Sequence, residues 1–401
     1  MSFNSYNFHP SVMSGINALG YSTPTPIQAQ AIPPILQGRD IIGLAQTGTG
    51  KTAAFVLPIL QRLMQEPRKQ IRALIISPTR ELVEQTCEVI NDLGGATGLH
   101  SAAIIGGVNI SPQKYLLRNG VEIVVATPGR LLDHVWQSTI NLSRVEILVI
   151  DEADRMFDMG FLPDIRNILK CLTQEKQTLL FSATMASNIQ KLTREILRNP
   201  VTIQIGQTLP PKTVSHALYP IEQHLKTALL KELLHTTETD SVLVFARTKY
   251  RVERLAQQLK NAGHRVTSLQ GNLSQYQRQT AINGFRTGSF KILVATDIAA
   301  RGIDISSISH VINYDMPEST DDYIHRIGRT GRVDRSGDAL TFVTSDDRGK
   351  VHALEQLLKS PLERRIVPGF DYKAPSAITN DRKQPYKAVQ HSTRRVLAYS
   401  R

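Results

Sequence analysis

Ten short apolar runs, many rich in β-branched residues, set the limits on how this chain can fold. Ala73–Ser77, Glu122–Ala126, Val145–Ile150, Thr178–Phe181 and Val201–Ile205 make a first series. Ser241–Ala246, Val266–Leu269, Lys291–Ala295, His310–Tyr314 and Ala339–Val343 make a second. Their apolarity is continuous rather than alternating, which suits strands covered on both faces, as in a parallel sheet. Between them lie stretches with helical spacing, such as Arg80–Leu93 and Tyr250–Ala262. Strands that alternate with helices predict α/β domains with parallel sheets.

The two series are separated by Gly206–Val214, a polar segment containing Pro210 and Pro211. The predicted organisation is therefore a first domain over 1–205, a linker over 206–216 and a second domain over 217–368. The remainder, 369–401, has weak periodicity. It carries Lys373, Arg382, Lys383, Lys387, Arg394, Arg395 and Arg401 against few acids, and reads as a flexible basic tail. A hydrophobic content of 41% excludes global disorder, and a net charge of +12 favours a polyanionic partner, nucleic acid first. Cys87 and Cys171 have no partner at metal-binding spacing, so they read as reduced thiols. No apolar stretch reaches the ~20 residues of a membrane span, and the first residues do not have the pattern of a secretory signal. The expectation is a soluble cytoplasmic protein.

The strongest local signal is Ala45-Gln46-Thr47-Gly48-Thr49-Gly50-Lys51-Thr52, between the apolar run Asp40–Leu44 and the helix-like Ala53–Leu60. This is the strand–loop–helix setting of a phosphate-binding loop, in which small residues let backbone N–H groups wrap an anion at a helix N-terminus. Lys51 would neutralise the β/γ-phosphates of ATP, and the Thr52 hydroxyl would ligate Mg²⁺. The sequence departs from the general pattern in having Ala45 where the first glycine stands. Asp151-Glu152-Ala153-Asp154 follows the apolar strand Ile147–Ile150, where parallel sheets bind their ligands. Asp151 would hold Mg²⁺, partly through water, and Glu152 would orient the attacking water and accept its proton.

With Asp-Glu-Ala-Asp on the page, the sequence resembles the DEAD-box ATP-dependent RNA helicases from about Phe3 to about Pro368, with most likeness to the RhlE-like bacterial branch. The resemblance implies two tandem RecA-like domains, each a mainly parallel sheet flanked by helices. It implies that Gln28, in Gly20-Tyr21-Ser22-Thr23-Pro24-Thr25-Pro26-Ile27-Gln28, reads the adenine edge, with Tyr21 packed on the base and Phe3 supporting the loop. An amide offers a donor and an acceptor, which suits adenine N6 and N7. The family's pattern makes Ser182 and Thr184, with Asp154 and His325, the residues that couple hydrolysis to unwinding. It makes Arg329 and Arg332, in His325-Arg326-Ile327-Gly328-Arg329-Thr330-Gly331-Arg332, the arginine fingers. Asp304 would contact the ATP ribose.

The same resemblance places RNA on Pro78, Thr79, Arg80, Gly106, Gly107, Thr127, Pro128, Gly129 and Arg130 in the first half, and on Arg247, Thr248, Gly271 and Thr296 in the second. Backbone N–H groups, hydroxyls and arginines suit phosphate oxygens, so little sequence preference is expected. Gln275 and Arg278 fit either the RNA track or the domain interface. The implied function is RNA-stimulated ATP hydrolysis coupled to local unwinding of short duplexes, by a monomer with ribosome-assembly or RNA-decay partners. The alternatives are a long-lived ATP-gated RNA clamp and a DNA translocase of the same superfamily. Retention of Lys51, Glu152 and both arginines favours turnover.

Overall fold

The structure is a computed structural model. It describes residues 2–375 apart from 47, 66, 173–174, 186, 206–213, 237–239, 301–307 and 332–336. The expected site residues Thr47, Asp304 and Arg332, and most of the expected linker and tail, lie outside the described residues.

The first unit contains strands β1 (Ile41–Leu44), β2 (Ala73–Ile76), β3 (Ser101–Ile104), β4 (Ile123–Ala126), β5 (Ile147–Ile150), β6 (Gln177–Ser182) and β7 (Val201–Gln204). The second contains β8 (Val214–Pro220), β9 (Val242–Phe245), β10 (Val266–Leu269), β11 (Ile292–Ala295), β12 (His310–Asn313), β13 (Gly337–Val343) and β14 (Glu363–Arg364). Each set forms a seven-stranded sheet, ordered β3-β4-β2-β5-β6-β1-β7 and β10-β11-β9-β12-β13-β8-β14. Every pairing is parallel. Renumbered from its own first strand, the second order is the same as the first, so the chain is one α/β unit used twice. Only the first copy carries a phosphate loop.

The continuous apolar runs have a direct explanation. Ala73, Ile75, Ile123, Val125, Ile147 and Val149 point into one core layer. Their chain neighbours Leu74, Ile76, Val124, Ala126, Leu148 and Ile150 point into the other. In the second sheet Val242 and Val244 face one layer and Leu243 and Phe245 the other. Each full burial of such a side chain contributes ~1.5–3 kcal/mol, which drives helices onto both faces.

Two expectations need correction. Residues 214–216 are not linker. They open β8, which pairs with β13 along its whole length, because Val214, Ala217 and Leu218 are buried against the second core. Nor does a free tail begin at 369. Phe370, Tyr372 and Ala374 pack on the second core, the two rings lie 4.9 Å apart, and the Tyr372 hydroxyl accepts the Val367 N–H at 2.8 Å. Two aromatic rings bury enough apolar surface to order a short segment whose periodicity is too weak to read.

Candidate active site

β1, next to the edge strand β7 of the first sheet, leads into the phosphate loop, and the helix Lys51–Leu63 leaves from it. Gly48 and Gly50 have φ of 82° and 91°, a left-handed backbone that glycine adopts without strain. A Cβ on Gly50 would also sit 2.6 Å from Gln28 Nε2. Thr49 donates its hydroxyl to Gln46 O at 2.8 Å and so ties the loop to itself. Lys51 is buried; its Nζ donates to Ala45 O at 2.8 Å and to Glu152 Oε1 at 3.4 Å. Ala45 thus serves through its carbonyl, which explains why a side chain is tolerated where glycine is usual.

Gln28 lies in the first turn of the helix Pro26–Leu36, inside a capping box with Thr25. Its Oε1 accepts the Thr25 N–H at 2.9 Å and its Nε2 donates to Gly50 O at 3.2 Å. The amide is therefore fixed against the phosphate loop. Tyr21 is exposed and stacks on buried Phe3, ring centroids 6.3 Å apart.

The acidic motif leaves β5. Asp151 is buried and accepts the Glu152 N–H at 3.0 Å. Burial first, against the pull of Lys51, and then the neighbouring Glu152 carboxylate push the Asp151 carboxyl up to about 7. Glu152 adopts a left-handed backbone, φ 54°, at the start of the helix Ala153–Asp158. Burial opposes its ionisation, yet Lys51, Arg155, His325 and Arg329 together hold its carboxyl below the ordinary range. Asp154 Oδ2 accepts the Ala183 and Thr184 N–H groups at 3.0 and 3.1 Å, and Ser182 Oγ accepts the Asp154 N–H at 3.2 Å. The acidic motif and Ser182-Ala183-Thr184 are thus one hydrogen-bonded body.

The second unit closes over this body. His325, half-buried, feels Asp154, Arg155, Glu152 and Arg329; desolvation pushes its imidazole below the usual value, and the two carboxylates oppose that shift. Arg329 is buried beside it. Arg326, in the same helix Thr320–Ile327, has a structural task. It grips Asp297 through Nε and Nη2 at 2.6 and 2.7 Å and donates to Asn313 Oδ1 and Asp315 O.

The polar loops follow β2, β3 and β4 on the same side. A cavity of about 330 Å³ opens between the units, lined by Pro78, Thr79, Arg80, Gly106, Thr127, Gly129 and Arg130 on one side and Gly271 and Arg278 on the other. Arg80 donates to Gln275 Oε1 at 3.2 Å across the gap. Gly107, with φ 69°, lies against the Arg80 guanidinium, where a Cβ would collide. Pro128 opens the helix Pro128–Trp136. Thr248 caps the helix Lys249–Asn261, accepting the Arg251 N–H; Arg247 reaches Glu318 at 3.1 Å, and the Thr296 N–H bonds to Leu269 O. Gln275 and Arg278 lie at the interface between the units. Sequence reasoning missed two features: the pairing of Glu81 with Arg278, and Arg155 beside Glu152. Only the fold brings Glu81 and Arg278 together, 197 residues apart, whereas Arg155 stands three residues after Glu152, a spacing at which helical side chains meet and which could have been read.

Residues 25–192 match the family described as DEAD/DEAH box helicase, and residues 225–334 match the helicase conserved C-terminal domain. The DEAD-box ATP-dependent RNA helicase CshA of Bacillus subtilis is 40% identical over 372 residues, 92% of this chain and 75% of that protein. The ATP-dependent rRNA helicase RRP3 of Saccharomyces cerevisiae is 43% identical over 371 residues, 91% of this chain and 74% of that protein. The structure of Saccharomyces cerevisiae Dbp5 bound to RNA and ADP BeF3 superposes with a TM-score of 0.84 at 32% identity, covering 91% of this chain and 95% of that one. Sequence match, tandem RecA-like fold and assembled cleft agree: the chain belongs to the DEAD-box family and is an ATP-dependent RNA helicase.

Proposed function

We propose that this helicase works by closing its two units on ATP and on a single RNA strand together, and opening again after hydrolysis. The observation that carries the reading is the seating of His325 and Arg329 against Glu152 and Asp154, beside the phosphate loop. In this reading Gln28 and Tyr21 take the adenine, Asp304 the ribose, and the loop Gln46–Thr52 the phosphates, with Lys51 leaving Glu152 for the β/γ-oxygens. Glu152 orients the attacking water and accepts its proton. Arg329 and Arg332 stabilise the charge that develops on the transferred phosphoryl group. Ser182, Thr184, Asp154 and His325 transmit closure from one site to the other.

The donor set fits Mg²⁺. Asp151 is a buried carboxylate whose ionisation burial suppresses, a cost that a cation beside it would offset, and Thr52 follows the loop lysine. Asp151 and Thr52 would hold Mg²⁺, partly through water, and the ion would supply positive charge against the phosphates. The RNA strand would run over the nine first-unit loop residues and over Arg247, Thr248, Gly271 and Thr296, with contacts to phosphate and sugar. Because ATP and RNA both favour the closed form, each tightens binding of the other by the same factor.

We further read the two units as 1–205 and 214–375, joined by a short linker. The protein is placed in the RhlE-like bacterial branch, as a cytoplasmic monomer that serves ribosome assembly or RNA decay. The motif likeness supports the branch. Among the described residues no helix is long and apolar enough to cross a membrane.

The test is ATP hydrolysis at saturating ATP with no nucleic acid, single-stranded RNA or single-stranded DNA, with Glu152→Gln alongside. Stimulation by RNA alone, lost in the variant, is expected. Equal stimulation by DNA would overturn the substrate assignment. Hydrolysis that ignores both, with hour-long RNA retention, would favour a clamp.

A further inference from the structure

Arg155 follows the acidic motif directly, and none of the roles above uses it. It is the largest fully buried side chain among the described residues, 1% exposed. Its Nε lies 3.3 Å from Glu152 Oε2, while Lys51 Nζ lies 3.4 Å from Glu152 Oε1. The carboxylate is bracketed by two cations, one per oxygen. The Arg155 backbone N–H donates to Asp154 Oδ1 at 3.0 Å, which fixes the start of its side chain within the motif. Its Nε and Nη1 have no hydrogen-bond partner among the described residues. A buried guanidinium with unspent donors is costly, and its persistence calls for a reason beyond packing.

The two cations differ in what they can do. Lys51 stands in the phosphate loop and is the group a nucleotide would draw away. Arg155 is rooted in the helix Ala153–Asp158 that the motif opens, three residues after Glu152, and would stay with the carboxylate. Without it, a Glu152 that had lost Lys51 would be a buried carboxylate on a left-handed backbone with neither partner of its resting state.

We propose that Arg155 is a positioning residue. It holds the Glu152 carboxylate in its water-orienting pose when Lys51 moves to the phosphates, so that Glu152 changes partner without changing place. This inference rests on the reading of Glu152 as the residue that orients water. The planar fork of arginine suits a carboxylate that must keep one orientation, which a lysine ammonium enforces less well.

Arg155→Met and Arg155→Lys, each in the wild-type and Glu152→Gln backgrounds, test it by steady-state hydrolysis at saturating RNA. Arg155→Met should lower kcat by ~10- to 100-fold, the scale of a reacting group misplaced by ~1 Å. The KM for ATP, and RNA binding with a non-hydrolysable ATP analogue, should not change. Arg155→Lys should restore part of the rate. In the Glu152→Gln background Arg155→Met should cost nothing further, because the arginine acts through that carboxylate. Wild-type kcat in Arg155→Met overturns the proposal. So does an equal further loss in the Glu152→Gln background, or a loss of rate matched by loss of melting temperature and of analogue-dependent RNA binding; either would make Arg155 a packing residue. Wild-type turnover in Glu152→Gln alone would instead remove the premise.

Discussion

Arg278 of the second unit places Nη2 2.6 Å and Nε 2.8 Å from Glu81 Oε1 of the first, and both side chains are largely withdrawn from solvent. The pair exists only when the units are together. Removing one partner of a buried pair costs ~3–5 kcal/mol, mostly because the other charge is left stranded. Arg278→Ala should therefore disfavour closure and raise the RNA concentration for half-maximal ATPase by ~100- to 4,000-fold, since each tenfold is ~1.4 kcal/mol. Exchanging the charges, Glu81→Arg with Arg278→Glu, should recover part of the loss. An unchanged RNA dependence in Arg278→Ala would show that the pair does not hold the cleft.

His325 gives closure a pH dependence. Burial lowers its pKa, outweighing Asp154 and Glu152, so the closed cleft prefers neutral imidazole. A lowered pKa contributes stability that is complete above the ordinary value near 6.5 and is lost as pH falls through the lowered value. RNA-stimulated hydrolysis should weaken as pH drops below about 6.5. His325→Gln, which cannot gain charge, should weaken less over the same range. Parallel acid limbs in the two proteins would assign the effect to another group.

The two thiols should differ sharply in reactivity. Burial first, then Glu84 and Glu88 beside it, raise Cys87 to about 11, whereas Cys171 is exposed. At pH 8 Cys87 would be thiolate in only ~1 molecule per thousand, and the thiolate is the nucleophile. Brief iodoacetamide treatment followed by peptide mass spectrometry should find Cys171 modified and Cys87 intact. Equal labelling would mean that the helix Arg80–Gly94 opens on that timescale.

Gly43 should tolerate no methyl. A Cβ there would meet the Phe181 ring at 2.5 Å, and that ring is itself wedged against Phe55 with centroids 5.4 Å apart. Gly43→Ala should destabilise the first unit by ~1–3 kcal/mol, the usual range for overpacking a core. Phe181→Leu added to it should return part of the loss in a urea melt. Additive losses would show that the methyl collides elsewhere.

Strands buried on both faces announce themselves by composition, which is why β2, β4, β5, β9 and β11 could be read directly from the sequence. β3, Ser-Ala-Ala-Ile at a sheet edge, has only half its residues buried and too little apolar bulk to stand out. β8 is disguised by the prolines before it and by Pro220 at its end. The site was legible where chemistry demands a local string, as in the phosphate loop and the acidic motif. It was illegible where function comes from distance. Glu81 and Arg278 are 197 residues apart; Arg155, by contrast, is only three residues from Glu152, a local signal that could have been read.

The position of β1 sets an order on the making of the molecule. Ile41 lies between Leu179 of β6 and Val201 of β7, and β1 has no other strand neighbour. While the chain is being translated, β1 emerges early and waits for partners that are made more than a hundred residues later. A ribosome-bound nascent chain ending before Gln177 can pair β2, β3, β4 and β5 but cannot anchor β1, the strand that leads into the phosphate loop and Lys51. Nucleotide binding is thus among the last properties the first unit acquires during synthesis, so an incomplete helicase is not primed to consume ATP.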